Sequence, residues 1–239
     1  GVVTYAPAEN SLSVAELVMG LLLTLARRIP AAWQDTRNGG WDRKTYTGLE
    51  LSGRTLGIVG FGRIGRLVAE RAKAFGMRLI AHDEFIPPEA FAEAGAESVS
   101  FEKLLAESDA VSVHVPLLDS TRGLFGVSQF AAMKKTAWFI NAARGEIVEE
   151  AALVEALQSE EIAAAALDVR DTEPPSRGLL DEMDNVILTP HIGAFTQEAQ
   201  ERVVALVCAD VERVLAGEAA TSAFGEAVPA SSHRGEPSP

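Results

Sequence analysis

The sequence predicts an α/β protein built on a doubly wound parallel sheet, and three features support that fold class. Between residues 55 and 193, short apolar runs alternate with loops and helix-like segments. Successive runs begin roughly 20 to 30 residues apart, which is the length of a strand plus a crossover helix. The 239 residues are 47% hydrophobic and 23% charged, a composition that can bury a full core.

The predicted strands are six apolar runs, in chain order TLGIVG, MRLIAHD, AVSVHVP, AWFINAA, AAALDV and NVILTPH. Between them, segments such as RIGRLVAERAKAF and VEEAALVEALQ repeat apolar residues at intervals of three and four, as amphipathic helices do. Strands that alternate with such helices form parallel sheets with both faces covered.

A helix over residues 13 to 28 is predicted ahead of the sheet. Its stretch VAELVMGLLLTLA contains a glutamate and a threonine and is shorter than the ~20 residues of a membrane-spanning helix. It is therefore interpreted as a buried helix. The segment from Ser13 to Glu16 fits a capping box at its start, and two arginines at its end suit the helix dipole.

The connection from this helix to the first strand carries three aromatic residues, Trp33, Trp41 and Tyr46. They are interpreted as anchors that hold a long irregular segment against the domain, with ligand contact as the alternative. A last amphipathic helix is predicted from about Thr196 to Leu215. The stretch 217–239 is rich in Ala, Gly, Ser, Pro and Glu, so a disordered tail is expected there.

Charge and cysteine content narrow the classes of partner. The formal net charge is -13 and no lysine or arginine cluster occurs, which argues against nucleic acid or an anionic membrane surface. Cys208 is the single cysteine and cannot form an internal disulfide, as suits a reducing cytoplasm. No set of metal ligands is singled out.

The glycine-rich string GFGRIG follows the first predicted strand and opens a helix. It places Gly60, Gly62 and Gly65 at the spacing of a dinucleotide-binding turn, and Asp83 ends the next strand. A carboxylate there accepts hydrogen bonds from ribose hydroxyls and repels a 2′-phosphate, and Glu84 rather than an arginine follows it. The motif predicts a Rossmann-type domain that prefers NAD to NADP.

Polar residues gather at the predicted strand ends, where open parallel sheets bind ligands. Each has a structural alternative, such as a surface cation, a turn cap or, for a histidine at a strand end, a satisfied structural group. Their convergence beside a nicotinamide cofactor favours a catalytic cleft. The set is Gly60, Asp83, Pro116, Arg144, Asp168 and His191, with Glu173 just past the fifth strand.

Three of these residues suit the reduction of a 2-keto acid by NADH. Arg144 offers a planar, always charged fork for the substrate carboxylate. His191 can donate a proton to the new alkoxide and accept it in the reverse reaction. Glu173 is the best candidate for a carboxylate on the far nitrogen of His191, where it would fix the ring and favour its protonated form.

Four ordered motifs resemble the NAD-dependent D-isomer-specific 2-hydroxyacid dehydrogenases: GFGRIG with Asp83, NAARGEIV, ALDV followed by TEP, and TPHIGAFTQEA. The resemblance implies that Arg144 binds substrate, that His191 is the acid/base and that Glu173 tunes it. It also implies a homodimer that pairs through the cofactor domain, with the 13–28 helix as an interface element. The implied NAD contacts are Gly60, Gly62, Arg63, Ile64, Gly65, Asp83, Val115, Pro116, Ala142, Ala143, Arg144, Asp168, His191, Gly193 and Ala194.

The resemblance also implies a domain layout. Residues 1–12 correspond to a remnant of a substrate domain whose earlier part is missing, and residues 13–193 to the NAD-binding domain with its core at 55–193. Residues 194–216 form a C-terminal helix that returns to the substrate side, ahead of the 217–239 tail. The flanking helices thus belong to an incomplete substrate domain.

The sequence departs from the family pattern at three places. Tyr5 stands for a usual asparagine, Arg170 for a usual phenylalanine, and the segment from Ser159 to Glu161 lacks a helix-ending glycine. Three functions stay open: an active dehydrogenase, an inactive NAD-binding fragment, and an NAD(H)-sensing binding protein similar to the corepressors that resemble this family. A formate-oxidising relative is disfavoured, because those enzymes carry glutamine where Glu173 stands here.

Overall fold

A computed structural model describes residues 2–6 and 8–223. The chain folds as two compact units. One unit comprises residues 14–193, and the other combines residues up to 13 with those from 194 onward. Each unit is described separately below.

The larger unit contains a seven-stranded, all-parallel sheet in the order β3-β2-β1-β4-β5-β6-β7, which confirms the doubly wound α/β prediction. The sheet reverses its order between β1 and β4, which is where such folds bind ligands. All six predicted strands are present. The strands are β1 (Thr55–Val59), β2 (Arg78–His82), β3 (Glu97–Ser98), β4 (Ala110–Val113), β5 (Trp138–Asn141), β6 (Ala164–Leu167) and β7 (Val186–Leu188).

The strand register aligns the carboxyl ends at one edge. Val59 lies opposite both His82 and Val113, and Asn141 lies opposite Val113 and Leu167. The loops that follow these strands therefore emerge side by side. Only β3 was not predicted, because two exposed residues carry no readable periodicity.

Helices cover both faces of the sheet, and alternate strand residues pack into two separate cores. Ile58 belongs to one core together with Leu22 and Val68, whereas Val59 belongs to the other together with Phe130. The α-helices that lie wholly or mainly in the larger unit are α1 (Ser11–Arg27), α2 (Ile29–Arg37), α3 (Arg63–Ala74), α4 (Pro88–Glu93), α5 (Phe101–Glu107), α6 (Val127–Ala131) and α7 (Glu150–Gln158), whereas α8 (Gln197–Leu215) belongs to the smaller unit. Of the helices in the described residues, none combines the length and the apolar character needed to cross a membrane.

The capping box predicted at Ser13 is wrong. Helix α1 begins at Ser11, so Ser13 is already inside the helix and cannot accept its terminal amides. The Ser13 hydroxyl instead lies 2.8 Å from the hydroxyl of Thr196. The sequence pattern was misleading because the serine is used for a contact with a residue far along the chain.

The prediction that aromatic residues anchor the connection after α1 is wrong for Trp33 and Trp41. Their exposed fractions are 58% and 78%, and α2 has no buried residue at all. The guanidinium of Arg37 lies 4.8 Å from the Trp33 ring centroid and gives that ring a local contact. Tyr46 is half-buried, with Arg28 5.9 Å from its ring centroid.

Helix α7 ends without a glycine, as the sequence indicated. Glu160 adopts a left-handed conformation with φ 56° directly after the last turn. The amide of Glu161 donates to the carbonyl of Ala156 at 2.8 Å, which closes the helix end. Glu160 thus occupies the left-handed position that glycine usually takes at a helix end, and its side chain makes that conformation unfavourable.

In the smaller unit, α8 begins after Thr196, where the helix was predicted to start, and the Thr196 hydroxyl accepts from the amide of Ala199 at 3.1 Å. Arg202 donates to the carbonyl of Glu9 at 2.7 Å, which attaches the beginning of the chain to this helix.

The disordered tail predicted from Gly217 is wrong for residues 217–223. Asp210, buried in α8, accepts hydrogen bonds from the hydroxyl and amide of Thr221 and from the amide of Ser222 at 2.6 to 3.0 Å. The amide of Tyr5 donates to the Ser222 carbonyl at 3.0 Å. The single carboxylate of Asp210 therefore fixes a segment that has few bulky residues. The remainder of the predicted tail, residues 224–239, lies outside the described residues.

Candidate functional site

The glycine loop after β1 leaves room for a ligand only on one side. Gly60 has φ 90°, and a Cβ there would lie 2.6 Å from the amide nitrogen of Val115. A Cβ on Gly65 would overlap the carbonyl oxygen of Gly60. Nothing lies within 4 Å of a Cβ on Gly62, so the space above that residue is open.

Helix α3 begins directly under this open space. Gly62 is its N-cap and supplies no side chain to cap the first amides of the twelve-residue helix. The amides and the positive dipole end of a helix N-terminus favour a phosphate group there. The glycine loop and α3 therefore fit the pyrophosphate of a dinucleotide.

Asp83 directly follows β2 and faces the glycine loop. Its carboxylate accepts from the amide of Phe61 at 2.7 Å and from the amide of Phe85 at 2.9 Å. Each oxygen keeps a further lone pair for a ribose hydroxyl. Glu84, which follows it, is exposed.

His114 was not predicted as a site residue, although it lies beside this loop. Its Nε2 lies 2.8 Å from the hydroxyl of the buried Ser112, and a Cβ on Gly60 would contact its backbone carbonyl carbon at 2.7 Å. Burial lowers the pKa of His114 from 6.5 to about 3, so the ring is neutral at ordinary pH. The signal in the sequence was a histidine directly after a strand in which Ser112 is the one polar residue.

Arg144 lies in the turn that follows β5. The side chain of the buried Asn141 shapes this turn, since its Nδ2 donates to the Arg144 carbonyl at 2.8 Å and its Oδ1 accepts from the Ala143 amide at 3.0 Å. The arginine side chain is exposed. Asn141 was not predicted, although a buried amide at a strand end is a recognisable signal.

Asp168, at the end of β6, is 2% exposed and holds the turn that carries the histidine. One carboxylate oxygen accepts from the Thr189 hydroxyl at 2.6 Å and from the Ile192 amide at 2.9 Å. The other accepts from the Gly193 amide at 2.8 Å. The segment around His191 is thereby fixed from both sides.

His191 is one of three non-glycine residues with positive φ in the described part of the chain, at 53°. Its amide donates to the carbonyl of Asp168 at 2.8 Å, which stabilises this costly conformation. Its Nδ1 lies 2.6 Å from Oε2 of Glu173. The two side chains are 45% and 38% exposed, so the pair is accessible from outside.

Several groups act on the pKa of Glu173. Partial burial raises it, but the hydrogen bonds from His191 and from the amide of Arg170 outweigh that effect, together with the charges of His191 and Arg144. The net pKa lies below the usual value for a glutamate. Glu173 is therefore a carboxylate at neutral pH, as a partner for a protonated imidazole must be.

A cavity of about 530 Å³ lies beside this pair. Arg170, Asp181 and the two prolines after Glu173 form part of its wall. Its lining consists of Asp168, Arg170, Glu173, Pro174, Pro175, Asp181, Leu188, Thr189, Pro190 and His191.

The structure thus assembles the sequence-predicted residues in two groups at the carboxyl edge of the sheet. The glycine loop, Asp83 and Val115 form one group, and Asp168, Glu173, His191 and Gly193 form the other. Ala194 belongs to the smaller unit, where its carbonyl accepts from Gln200. The remaining predicted residues begin α3 or follow β4 and β5, namely Arg63, Ile64, Pro116, Ala142, Ala143 and Arg144.

Comparisons with known proteins agree with this arrangement. Residues 19–193 match the family model described as D-isomer specific 2-hydroxyacid dehydrogenase, NAD binding domain. The chain is 48% identical over 220 residues to the D-3-phosphoglycerate dehydrogenase of Methanocaldococcus jannaschii, and 46% identical over 227 residues to that of Homo sapiens. These alignments cover 92% and 91% of this chain but only 42% and 43% of the relatives.

Solved structures show the same fold. The D-lactate dehydrogenase of Lactobacillus jensenii with NAD+ superposes with a TM-score of 0.84 at 33% identity, over 94% of this chain and 72% of that protein. The glyoxylate reductase of Paecilomyes thermophila superposes with a TM-score of 0.86 at 36% identity, over 93% of this chain and 68% of that protein.

The chain spans about two fifths of the length of the curated relatives it matches. The family model covers well over half of it and includes the glycine loop, Asp83, Arg144, Asp168, Glu173 and His191. The resemblance given by the four motifs is therefore confirmed, and the chain belongs to the D-isomer specific 2-hydroxyacid dehydrogenase family, whose NAD-binding domain it carries.

Proposed function

We propose that the protein is an NAD-dependent oxidoreductase that acts on the CH–OH group of a D-2-hydroxy acid and reduces the corresponding 2-keto acid in reverse. The observation that carries the proposal is the 2.6 Å contact between His191 Nδ1 and Glu173 Oε2, on a turn that Asp168 holds in place. A histidine held in this way, with its far nitrogen directed away from its carboxylate partner, is suited to move one proton.

Arg144 would bind the substrate carboxylate through its planar fork, and Asn141 fixes the turn that presents it. Nε2 of His191 would donate a proton to the developing alkoxide oxygen during reduction and remove it during oxidation. Glu173, ionised at working pH, would stabilise the imidazolium form. Bound NADH supplies the hydride.

The cofactor would lie across the glycine loop. The open space above Gly62 and the first amides of α3 would hold the pyrophosphate, while Asp83 would accept hydrogen bonds from the ribose hydroxyls. Asp168 has three donors on its two oxygens and keeps acceptor capacity for the nicotinamide amide.

The test is oxidation of NADH by the protein with a panel of 2-keto acids. Several curated relatives are named D-3-phosphoglycerate dehydrogenase, so the keto acid of D-3-phosphoglycerate is the first compound of the panel. Arg144→Ala is expected to lower kcat/KM by several orders of magnitude, because the clamp on the carboxylate is lost. A loss below about tenfold would contradict the role of Arg144.

Two other outcomes would overturn the proposal in different ways. Tight NADH binding without turnover of any keto acid would favour an NAD(H)-sensing protein. Absence of NAD binding would refute the cofactor site itself, whatever the substrate. Arg78→Ala, at the opposite end of the sheet, serves as the control that leaves turnover unchanged.

We also propose that two copies of the chain pair through the larger unit. Helix α2 has no buried residue, and Trp33 and Trp41 are largely exposed. A helix of nine residues is not stable alone in water and requires packing. Beside it lies a cavity of about 500 Å³, whose walls include Leu25 near the end of α1 and the first residues of β5, β6 and β7. The second copy of α2, with Trp33 and the following Trp41, would fill it.

Sedimentation of the wild-type protein is expected to show a dimer, and of a Trp33→Glu, Trp41→Glu double variant a monomer. NAD binding should survive in the variant, because its glycine loop is untouched. A monomeric wild type, or a dimer unaffected by both charges, would refute this interface.

The free thiol of Cys208 is exposed, and the chain has no second cysteine to pair with it. Such a thiol persists in a reducing compartment. We therefore propose a cytoplasmic location, which fractionation of cells that express the protein would test.

A further inference from the structure

We propose that Arg170 is a positioning residue for the acid/base pair: through its own amide it holds Glu173 in the orientation that contacts His191. The proposal rests on the proposed function, since it assigns the support of the same site. The contacts that carry it are a buried ion pair, a close backbone approach and one hydrogen bond.

The guanidinium of Arg170 is almost completely removed from water, with 8% of the side chain exposed. Its Nε and Nη2 donate to the two carboxylate oxygens of Glu150 at 3.0 and 2.9 Å, and its Nη1 lies 3.7 Å from Asp181. A bidentate pair of this kind fixes both the direction and the rotation of the guanidinium. Glu150 is the first residue of α7, so the arginine is attached to a rigid element.

The backbone of Arg170 is held from a second direction. A Cβ on Gly145 would overlap the carbonyl group of Arg170, so the two backbones lie in direct contact. Gly145 immediately follows Arg144. The turn with the proposed substrate arginine and the loop with the proposed acid/base carboxylate therefore meet at Arg170.

The amide of Arg170 donates to Oε1 of Glu173 at 3.1 Å. This bond occupies one carboxylate oxygen and leaves the other, Oε2, for His191 Nδ1. Without the bond, only the contact with His191 would hold the side chain of Glu173, because the residue lies in an exposed loop. The amide thus selects one rotamer of Glu173.

Charged groups around the pair come from several elements. They are Arg144 after β5, Asp168 at the end of β6, Arg170 and Glu173 in the next loop, and Asp181 in the 3-10 turn at Leu179–Glu182. Asp168 accepts from Thr189 and Gly193, and Asp181 accepts from the amide of Gly178. The contact that depends on Arg170 is the one to Glu173.

The experiment is an NMR titration of the His191 ring between about pH 4 and 9, which needs neither substrate nor turnover. Glu173→Gln is expected to move the titration midpoint to lower pH, because the carboxylate that stabilises the imidazolium form is lost. Arg170→Met and Glu150→Gln should each move it in the same direction by at least half as much. Arg170→Lys, which keeps the charge but not the fork, should lie between wild type and Arg170→Met.

Arg78→Met is the matched control, because Arg78 also bridges two carboxylates, Glu97 and Glu107, but at the other edge of the sheet. It should leave the His191 midpoint unchanged. If Arg170→Met does not fold, the His191 midpoint of Glu150→Gln alone tests the proposal. This variant breaks the same ion pair through its more exposed partner.

The outcomes separate the two proposals. A midpoint that moves in Glu173→Gln but not in Arg170→Met or Glu150→Gln refutes the positioning role and leaves the acid/base pair intact. A midpoint that moves in none of them refutes both the pair and its support. Equal movement in Arg78→Met would show a general loss of charge or stability, and would also overturn the role of Arg170.

Discussion

Asp83 holds the glycine loop in place and is also proposed to bind the ribose hydroxyls of the cofactor. A substitution that removes only its charge can separate these two effects. One carboxylate oxygen holds the amide of Phe61 inside the glycine loop, and the other holds the amide of Phe85. Both keep lone pairs for ribose hydroxyls. Loss of the side chain therefore loosens the loop for any dinucleotide, whereas loss of its charge alone affects only the choice between dinucleotides.

Asp83→Ala is expected to weaken NAD binding more than NADP binding, because the carboxylate that favours the 2′-hydroxyl and repels a 2′-phosphate is removed. Equilibrium titration with both cofactors measures the ratio of dissociation constants. Equal weakening would contradict the discrimination by Asp83. Asp83→Asn, which keeps one acceptor for Phe61, is the control that isolates the charge.

The placement of the candidate site residues at one edge of the sheet was largely predictable from sequence, because parallel strands bring their carboxyl ends together and each motif follows a strand. The supporting residues were not. Arg170 stood out only as a departure from the family pattern, since its partner Glu150 lies on another element. Asn141, Thr189 and His114 act through contacts that no local periodicity reveals.

At the scale of elements, the end of α7 contains an unfavourable backbone conformation that a substitution can relieve. Glu160 occupies the left-handed position with φ 56°, where a side chain is disfavoured. Glu160→Gly is expected to raise the free energy of unfolding by about 0.5 to 1 kcal/mol, because glycine adopts this conformation without strain. Urea denaturation of the two proteins measures the difference.

Glu160→Ala provides the control, since it removes the same carboxylate but keeps a Cβ in the left-handed region. No gain is expected from it. A gain as large as that of the glycine variant would show that charge at the helix end, and not the backbone conformation, sets the cost.

The connection after α1 shows where reasoning from elements fails. Large aromatic rings usually bury themselves, and the sequence therefore predicted anchors. That argument assumes that the burial occurs within one chain. Helix α2 and the residues Trp33 and Trp41 have apolar surface that their own domain leaves exposed, and a single sequence does not reveal whether another copy covers it.

At the scale of the whole molecule, acid should destabilise the protein through groups whose pH ranges overlap. The pKa of Glu97 is lowered from 4.5 to about 2 by Lys103 and Arg78, so its contribution is complete above about pH 4.5 and is lost as the pH falls toward 2. The hydrogen bond from Thr221 lowers the pKa of Asp210, so its contribution to stability is likewise lost as the pH falls. His114 differs, because burial lowers its pKa from 6.5 to about 3.

Unfolding exposes His114 and lets it bind a proton, so the stability that depends on its neutral form begins to decrease below pH 6.5. The slope is at most about 1.4 kcal/mol per pH unit. Urea denaturation between pH 4.5 and 6.5 should therefore show a shallower decline for His114→Gln than for the wild type. Parallel curves would contradict a neutral His114 ring in the folded protein.

The left-handed backbone of His191 determines which inactive variant would be useful. Asparagine is tolerated in this region far better than most residues, and its short amide can still reach a local hydrogen-bond partner. His191→Asn should therefore preserve the turn held by Asp168, whereas His191→Ala would favour its rearrangement. The asparagine variant is the natural trap for crystallising cofactor and substrate together before any hydride has moved.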